Sequence, residues 1–401
     1  MAARIAYCVI PESGGLFRFY RNLRAALTPH GWEVFAVCMG PAAAGRWDPR
    51  FADENCTLIA PQQTDGRQQA RAFVEWVERQ GIAIVVPMDD SIAASAARHL
   101  PPQVRLVTRC SSDTGFAYKI CGICVERLSR VIVMTPRQLR GVSGLGRLPQ
   151  ERIAMIPHGV DMRRFSPDLQ SAGPPVQRPL RIAYVGRLDD KMKGTLWLPD
   201  IVARLVRLGV EFEFDVIGDG EDRARLTSLL QREGIEKRCR LRGTMQGDEL
   251  AKVLPACDVL VMPSRVEGFP NVLVEAMASG LVAVASRIRG VTDFIVEDGV
   301  SGVLCRIGNT KAFAEAIAGL AADRTRLATM SAAARRTVEE RFSLQRMGRD
   351  YDRVLRQALA EPLANVAPRP WSDFRIDPAF KPGWRRWVPR AVKDTIRRYV
   401  H

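Results

Sequence analysis

Between Ser264 and Gly280 the chain reads SRVEGFPNVLVEAMASG, which sets two glutamates, Glu267 and Glu275, eight positions apart. Glu267 stands in a Gly-Phe-Pro turn and Glu275 in an apolar run of helical character. Such carboxylates can serve as an acid/base pair, as ligands or as plain surface charges, and their surroundings decide between these. The preceding CDVLVMPS reads as a strand. Pro270 suits a first helical turn, where its missing N–H costs nothing. A helix from about Asn271 to Ser279, ending at Gly280, leaves free amides around Asn271, Val272 and Leu273. Free amides at a helix start form a site for a phosphate or diphosphate. Helical side chains lean toward the N-terminus, so Glu275 leans back to the same place, which Glu267 reaches from its loop.

An anion also needs cations. The turn GRLDDKMKG offers Arg187, Lys191 and Lys193 ahead of Gly194. Arg187 and Lys193 bracket that turn, so a diphosphate held by the helix amides could meet them from the opposite side. Alone, Glu275 reads as a solvated helix residue and Arg187 as a surface charge. Together, in a strand–turn–helix setting, they read as ligands.

These residues need a scaffold. The chain has 401 residues, 47% apolar and 26% charged, with 59 Lys+Arg against 44 Asp+Glu, a net charge of +15. Its length suggests two domains with an extension, and its charge an anionic partner. RIAYCVI, EVFAVCM, IAIVVPM and VRLVT read as strands of the first half, with a helix from Leu16 to Leu27. FEFDVIGDG, CRLRGTM, CDVLVMPS, LVAVAS and SGVLCRI read as strands of the second half. Continuous apolar strands alternating with helices indicate parallel sheets covered on both faces. Arg4-Ile5-Ala6-Tyr7 recurs as Arg181-Ile182-Ala183-Tyr184, each copy running into a glycine-containing turn. We expect a first domain at 1–165, a Pro/Gly/Ser linker at 166–179, a second domain at 180–345 and an extension at 346–401.

The extension ends in WRRWVPRAVKDTIRRYVH. From Lys381 onward it holds seven Lys/Arg and one acid, with Val388, Val392, Ile396 and Val400 at four-residue spacing. Two readings stay open: a basic amphipathic helix on an anionic membrane, or a helix packed on the protein. No apolar stretch reaches the ~18 residues needed to span a bilayer, and the start lacks the pattern of a signal peptide. The expectation is a cytoplasmic protein, with peripheral attachment to the inner face of the plasma membrane through residues 381–401. Nine cysteines argue against a disulfide framework, and Cys121 and Cys124 read as two buried residues of one helix. His158, in IPHGVD, reads as a loop residue near the domain boundary. No nucleic-acid motif accompanies the positive charge.

EGFPNVLVEA resembles the E-x7-E signature of the retaining glycosyltransferases of family 4. PESGG, IPHGVDMRRFSP, VGRLDDKMKG, VIGDG and DGVSGVL fall in that family's order around it. The resemblance covers most of residues 1–345. It implies the GT-B fold, an α/β architecture of two Rossmann-like doubly wound domains facing a central cleft. It further implies that a sugar passes from a nucleotide-sugar donor, UDP- or GDP-linked, to a glycan or lipid-linked acceptor of envelope or exopolysaccharide synthesis. In such an enzyme Glu275 would bind the donor ribose and Glu267 the sugar hydroxyls. The Gly268, Phe269, Pro270, Asn271, Val272 and Leu273 segment would supply amides to sugar and diphosphate. Arg187 and Lys193 would neutralise the departing diphosphate, while Gly14 and Gly15 would bring first-domain backbone to the donor. Arg242, Gly243, Thr244 and Met245 would line the base.

With these cations in place no cofactor or metal is expected, and the glutamates bind rather than act as acid and base. One departure stands out. The family often carries a histidine at the end of a first-domain strand, where RLVTRCSSD here has Arg109 and Cys110, so Arg109 is a candidate first-domain site residue. The alternatives on this architecture are a nucleotide-sugar epimerase, which would want further acid/base residues, and an inactive sugar- or membrane-binding homologue.

Overall fold

A computed structural model describes residues 3–12, 14–146, 148–167, 178–245, 247–362 and 366–380. Seven strands make the first sheet: β1 (Ala3–Cys8), β2 (Trp32–Met39), β3 (Cys56–Ile59), β4 (Ile84–Val86), β5 (Arg105–Arg109), β6 (Leu128–Val133) and β7 (Ile153–Met155). They pair in parallel in the order β3-β2-β1-β4-β5-β6-β7. Six make the second: β8 (Leu180–Val185), β9 (Phe212–Ile217), β10 (Cys239–Gly243), β11 (Val259–Met262), β12 (Val282–Ser286) and β13 (Gly302–Cys305). Their order is β10-β9-β8-β11-β12-β13, again parallel.

The repeated Arg-Ile-Ala-Tyr strands are β1 and β8, which hold the same central place in their sheets. Their residues feed helix-covered cores on both faces. Ile5 and Tyr7 enter one core while Ala6 and Cys8 enter the other. Ile182 and Tyr184 alternate with Ala183 in the same way. Strand order reverses between β1 and β4 and between β8 and β11, and the crevices beyond the carboxyl ends of such strands are where open α/β sheets bind ligands.

β3, β6 and β7 escape the sequence reading. β7 is a three-residue edge strand, and β6 buries Arg130 in its middle, which breaks the apolar run that marks a central strand. Glu361 meets Arg130 in an ion pair, so this interior charge is neutralised from outside the sheet.

After the second domain the chain crosses back to the first. Helix Leu344–Ala360 packs Met347, Tyr351 and Val354 onto the core that holds helix Gly15–Leu27, and Trp32 Nε1 donates to Asp352 at 2.7 Å. Residues 366–380 continue over the first domain. Trp371 stacks on His99 with ring centroids 4.4 Å apart, and Arg98 pairs with Asp377 at 3.0 Å. Cys121 ends helix Gly115–Cys121, but Cys124 lies beyond it with φ 50, so the two buried thiols do not share a helix. Residues 168–177 of the expected linker and the whole of the basic tail 381–401 lie outside the described residues. Among the described residues no helix is long and apolar enough to cross a membrane.

The returning helix approaches helix Gly15–Leu27 through Gly348, where an added Cβ would lie 2.4 Å from the Ala26 carbonyl oxygen. A backbone atom cannot swing aside, so Gly348→Ala should destabilise the chain by about 1–3 kcal/mol. Urea unfolding reads this directly, and an unchanged midpoint would contradict the close packing.

Candidate functional site

The two switch points face each other across a cavity of about 460 Å³. The β8 turn brings Arg187 and Lys193 to it, and the turn after β11 brings Glu267, Phe269 and Pro270. Helix Asn271–Ala278 adds Asn271, Val272 and Glu275. Gly14 and Gly15 face these from the first domain, and Thr244 and Met245 close the cavity beyond β10. Twelve of the residues expected at the site therefore share one cavity.

Of the other five, four belong to the second domain and lie elsewhere. Leu273 is a fully buried core residue and its amide donates to the Pro270 carbonyl at 3.0 Å, so it has none to offer an anion. Gly268 approaches Ser112 and Asp113 of the first domain. Arg242 turns its guanidinium to Asp215 at 3.0 Å, and the Gly243 carbonyl accepts from Gly218 at 2.7 Å. Among the described residues the amides of Asn271 and Val272 carry no hydrogen bond, so those two form the free end of the helix.

Lys193 is placed by a short scaffold. Asp189 caps helix Asp190–Lys193 by accepting from the Lys191 amide at 3.0 Å. Gly194 ends it with φ 62, where a side chain would strike the Pro263 carbonyl. Arg265 then clamps the turns together: its Nη2 meets Asp190 at 3.0 Å and its guanidinium lies 3.7 Å from the Trp197 ring centroid. The result sets Lys193 Nζ 2.7 Å from Glu267 Oε1, which also accepts from Ser264 Oγ at 2.7 Å. With Oε1 doubly engaged, Oε2 is the oxygen left for a further hydrogen-bond donor. Arg187 is exposed on the same cavity and makes no ion pair among the described residues.

Glu275 is only 5% exposed. Its Oε1 lies 3.3 Å from Arg18 Nη1 of the first domain, and its Oε2 is buried without a partner among the described residues. Burial raises its pKa, while the Arg18 and Arg164 charges pull it back toward ionisation. A buried polar atom left unpaired is costly, and such atoms commonly wait for water, an ion or a ligand. Arg18 was not anticipated from the sequence, because its partner lies in the other domain; its one signal is that it follows the Gly14-Gly15 turn.

Arg109 does not line the cavity. It is 2% exposed, its guanidinium lies 3.8 Å from the Phe19 ring centroid, and it contacts His158 Nε2. His158 Nδ1 in turn lies 2.6 Å from Asn271 Oδ1. With Arg109 donating to Nε2, the neutral imidazole carries its proton on Nδ1 and donates to Asn271, holding the first residue of the helix. His158 is thus more than a loop residue: it links a buried arginine to the free helix end.

Burial and then the Arg109 charge push the His158 pKa well below its ordinary 6.5. The folded chain refuses a proton that the unfolded chain accepts. The stability this gives is complete above pH ~6.5 and is lost as pH falls below it, by up to about 1.4 kcal/mol per pH unit. Unfolding midpoints taken from pH 7.5 to 5 should therefore fall less steeply in His158→Gln than in the parent chain. Equal slopes would contradict a neutral buried imidazole.

The model of the family described as "Glycosyl transferases group 1" matches residues 179–323. The provisionally named colanic acid biosynthesis glycosyltransferase WcaL of Escherichia coli (strain K12) is 33% identical over 218 residues, 53% of this chain and 52% of that protein. The amylovoran biosynthesis glycosyltransferase AmsK of Erwinia amylovora is 31% identical over 201 residues, 49% of this chain and 48% of that protein. The chain thus spans about half the length of these curated relatives. The crystal structure of Anabaena Alr3699/HepE in complex with UDP superposes with a TM-score of 0.72 at 18% identity, covering 89% of this chain and all of that one. Two facing parallel α/β domains and this superposition agree on a GT-B fold of two Rossmann-like domains, and residues 179–323 are similar to the group 1 glycosyl transferases.

Proposed function

We propose that the chain transfers a sugar, with retention of anomeric configuration, from a UDP- or GDP-sugar to a glycan or lipid-linked acceptor of envelope or exopolysaccharide synthesis. The observation that carries this reading is the buried, unpaired Oε2 of Glu275 beside the free amides of Asn271 and Val272. A ribose hydroxyl would satisfy the first and a diphosphate the second. The relatives named for exopolysaccharide synthesis support the acceptor class, and the UDP bound to the Anabaena protein supports the donor class.

In this reading the bond between the anomeric carbon and the diphosphate oxygen breaks with its electron pair going to the phosphate. Arg187, Lys193 and the two helix amides meet that charge where it develops, which is the largest single contribution expected in such a step. The acceptor oxygen bonds to the anomeric carbon from the same face, and its proton passes to the departing diphosphate. A diphosphate leaves without prior protonation once its charge is met, so no carboxylic acid is needed as in a glycosidase. Glu267, held by Lys193 and Ser264, grips the donor sugar. The protein's own cations do the work that a metal would otherwise supply. Attachment to a membrane through residues 381–401 remains part of the proposal.

Incubation with UDP- and GDP-sugars and bacterial membranes should release nucleoside diphosphate and label the membranes; neither event with any donor would refute the reading. Arg187→Ala and Lys193→Ala should each lower turnover by about 10²–10³-fold. Glu275→Gln, which removes a charge-assisted contact to ribose, should weaken UDP binding by about ten- to a hundredfold in calorimetry. Unchanged affinity would remove Glu275 from the donor site.

A further inference from the structure

The first domain carries a cavity of its own, about 310 Å³ in volume, at the switch point between β1 and β4. Cys8, Val9 and Met88 form its apolar part, and Glu12, Asp89 and Asp90 bring carboxylates to it. Gly14 and Gly15 line both this cavity and the one between the domains, so their turn is the sill across which the two communicate. No Cβ at either glycine would touch another residue, which leaves the sill open on both sides.

The charge of this cavity runs against that of the whole molecule. On a chain of net charge +15, its lining holds three carboxylates and one guanidinium, and that guanidinium, Arg46, is taken up by Glu12, to which its Nε donates at 3.0 Å. Burial keeps the neighbouring thiols neutral, with the Cys38 pKa pushed up to about 12, so they add no charge. The two aspartates differ in what they do. Asp90 caps helix Ser91–Ala96, accepting from the Ile92 and Ala93 amides at 2.9 and 2.8 Å. Asp89 serves no backbone amide among the described residues; its oxygens meet only the Ser111 hydroxyl, at 3.0 and 3.1 Å. The residue before it, Met88, is held at φ 47, a left-handed conformation that a non-glycine side chain adopts at a cost. The chain thus accepts strain at the end of β4 where it presents a carboxylate with acceptor capacity to spare.

We propose that this cavity seats the terminal residue of the acceptor, that this residue is an uncharged sugar whose hydroxyls donate to Asp89, and that acceptors carrying a carboxylate or phosphate there are rejected. The proposal rests on the transferase reading, which supplies the donor on the other side of the Gly14-Gly15 sill. Sugar hydroxyls are donors and a carboxylate accepts only, so each hydroxyl turned to Asp89 makes a charge-assisted hydrogen bond. An anionic acceptor would instead bring like charge against the Asp89 carboxylate, which discriminates by repulsion. Small-molecule sites run from about 300 to 1,000 Å³, so this cavity is sized for a single sugar ring rather than an oligosaccharide.

Protein saturated with UDP is titrated with methyl glucoside and methyl galactoside beside methyl glucuronide and methyl galacturonide, followed by ligand-observed NMR. At least one neutral glycoside should bind about tenfold or more tightly than its uronide. Asp89→Asn, which keeps the shape of the side chain, should weaken that binding by about tenfold while leaving UDP affinity unchanged. Uronides that bind as well as the neutral glycosides, an Asn variant that binds them undiminished, or no glycoside binding by the UDP-loaded protein would each overturn the proposal. Failure to bind UDP in the first place would instead count against the nucleotide-sugar reading itself and take this proposal with it.

Discussion

A carboxylate buried at a domain boundary is expensive unless its oxygens are met, and Glu275 is met on one side only. Arg18 reaches it from the first domain, and its second oxygen is buried without a partner among the described residues. Leaving a buried charge half-compensated costs stability that folding alone has no reason to spend. The neighbouring architecture makes sense around that deficit. Helix Asn271–Ala278 points its free amides at the same space, and the β8 turn sets two cations opposite. Glu275 and Arg187 line the same cavity, and among the described residues neither Glu275 Oε2 nor the Arg187 guanidinium has a partner.

Holding these groups together takes both domains and the chain that returns between them. Lys193 is fixed by a capped turn pressed against the end of β11, and Glu267 by Lys193 and Ser264. Asn271 is fixed from across the boundary by His158, and His158 by Arg109 beneath it. The crossing at residues 342–347 belongs to the same frame: the Val160 amide donates to Phe342, the Leu344 amide donates to Val160, and the following helix locks onto the first domain. A displacement at the domain boundary would therefore be felt at the inter-domain cavity through Arg18, His158 and Asn271 together.

Much of the second domain was legible in the sequence, because its site is local. Glu267, Pro270, Asn271 and Glu275 fall within one turn and helix, and every expected strand of that half is present as β8 to β13. Where the reading fell short, the cause was a contact distant in sequence. Arg18 has meaning only once helix Gly15–Leu27 stands beside Glu275. Arg109 looked like a first-domain site residue at a strand end, yet Phe19 and His158 close over it. Leu273 looked like a free amide, but the first turn tightens and its N–H is spent on Pro270. Arg242 looked like a wall of the base site, but Asp215 on the neighbouring strand claims it. In the first sheet, β6 hid because its buried Arg130 is paid for by Glu361, far along the chain.

The most direct test of the whole arrangement is a crystal structure of the protein with UDP bound. The ribose hydroxyls are expected on Glu275 Oε2, and the diphosphate between the Asn271 and Val272 amides and the Arg187 and Lys193 side chains. A nucleotide bound elsewhere, or with its diphosphate out of reach of that helix end, would contradict this placement.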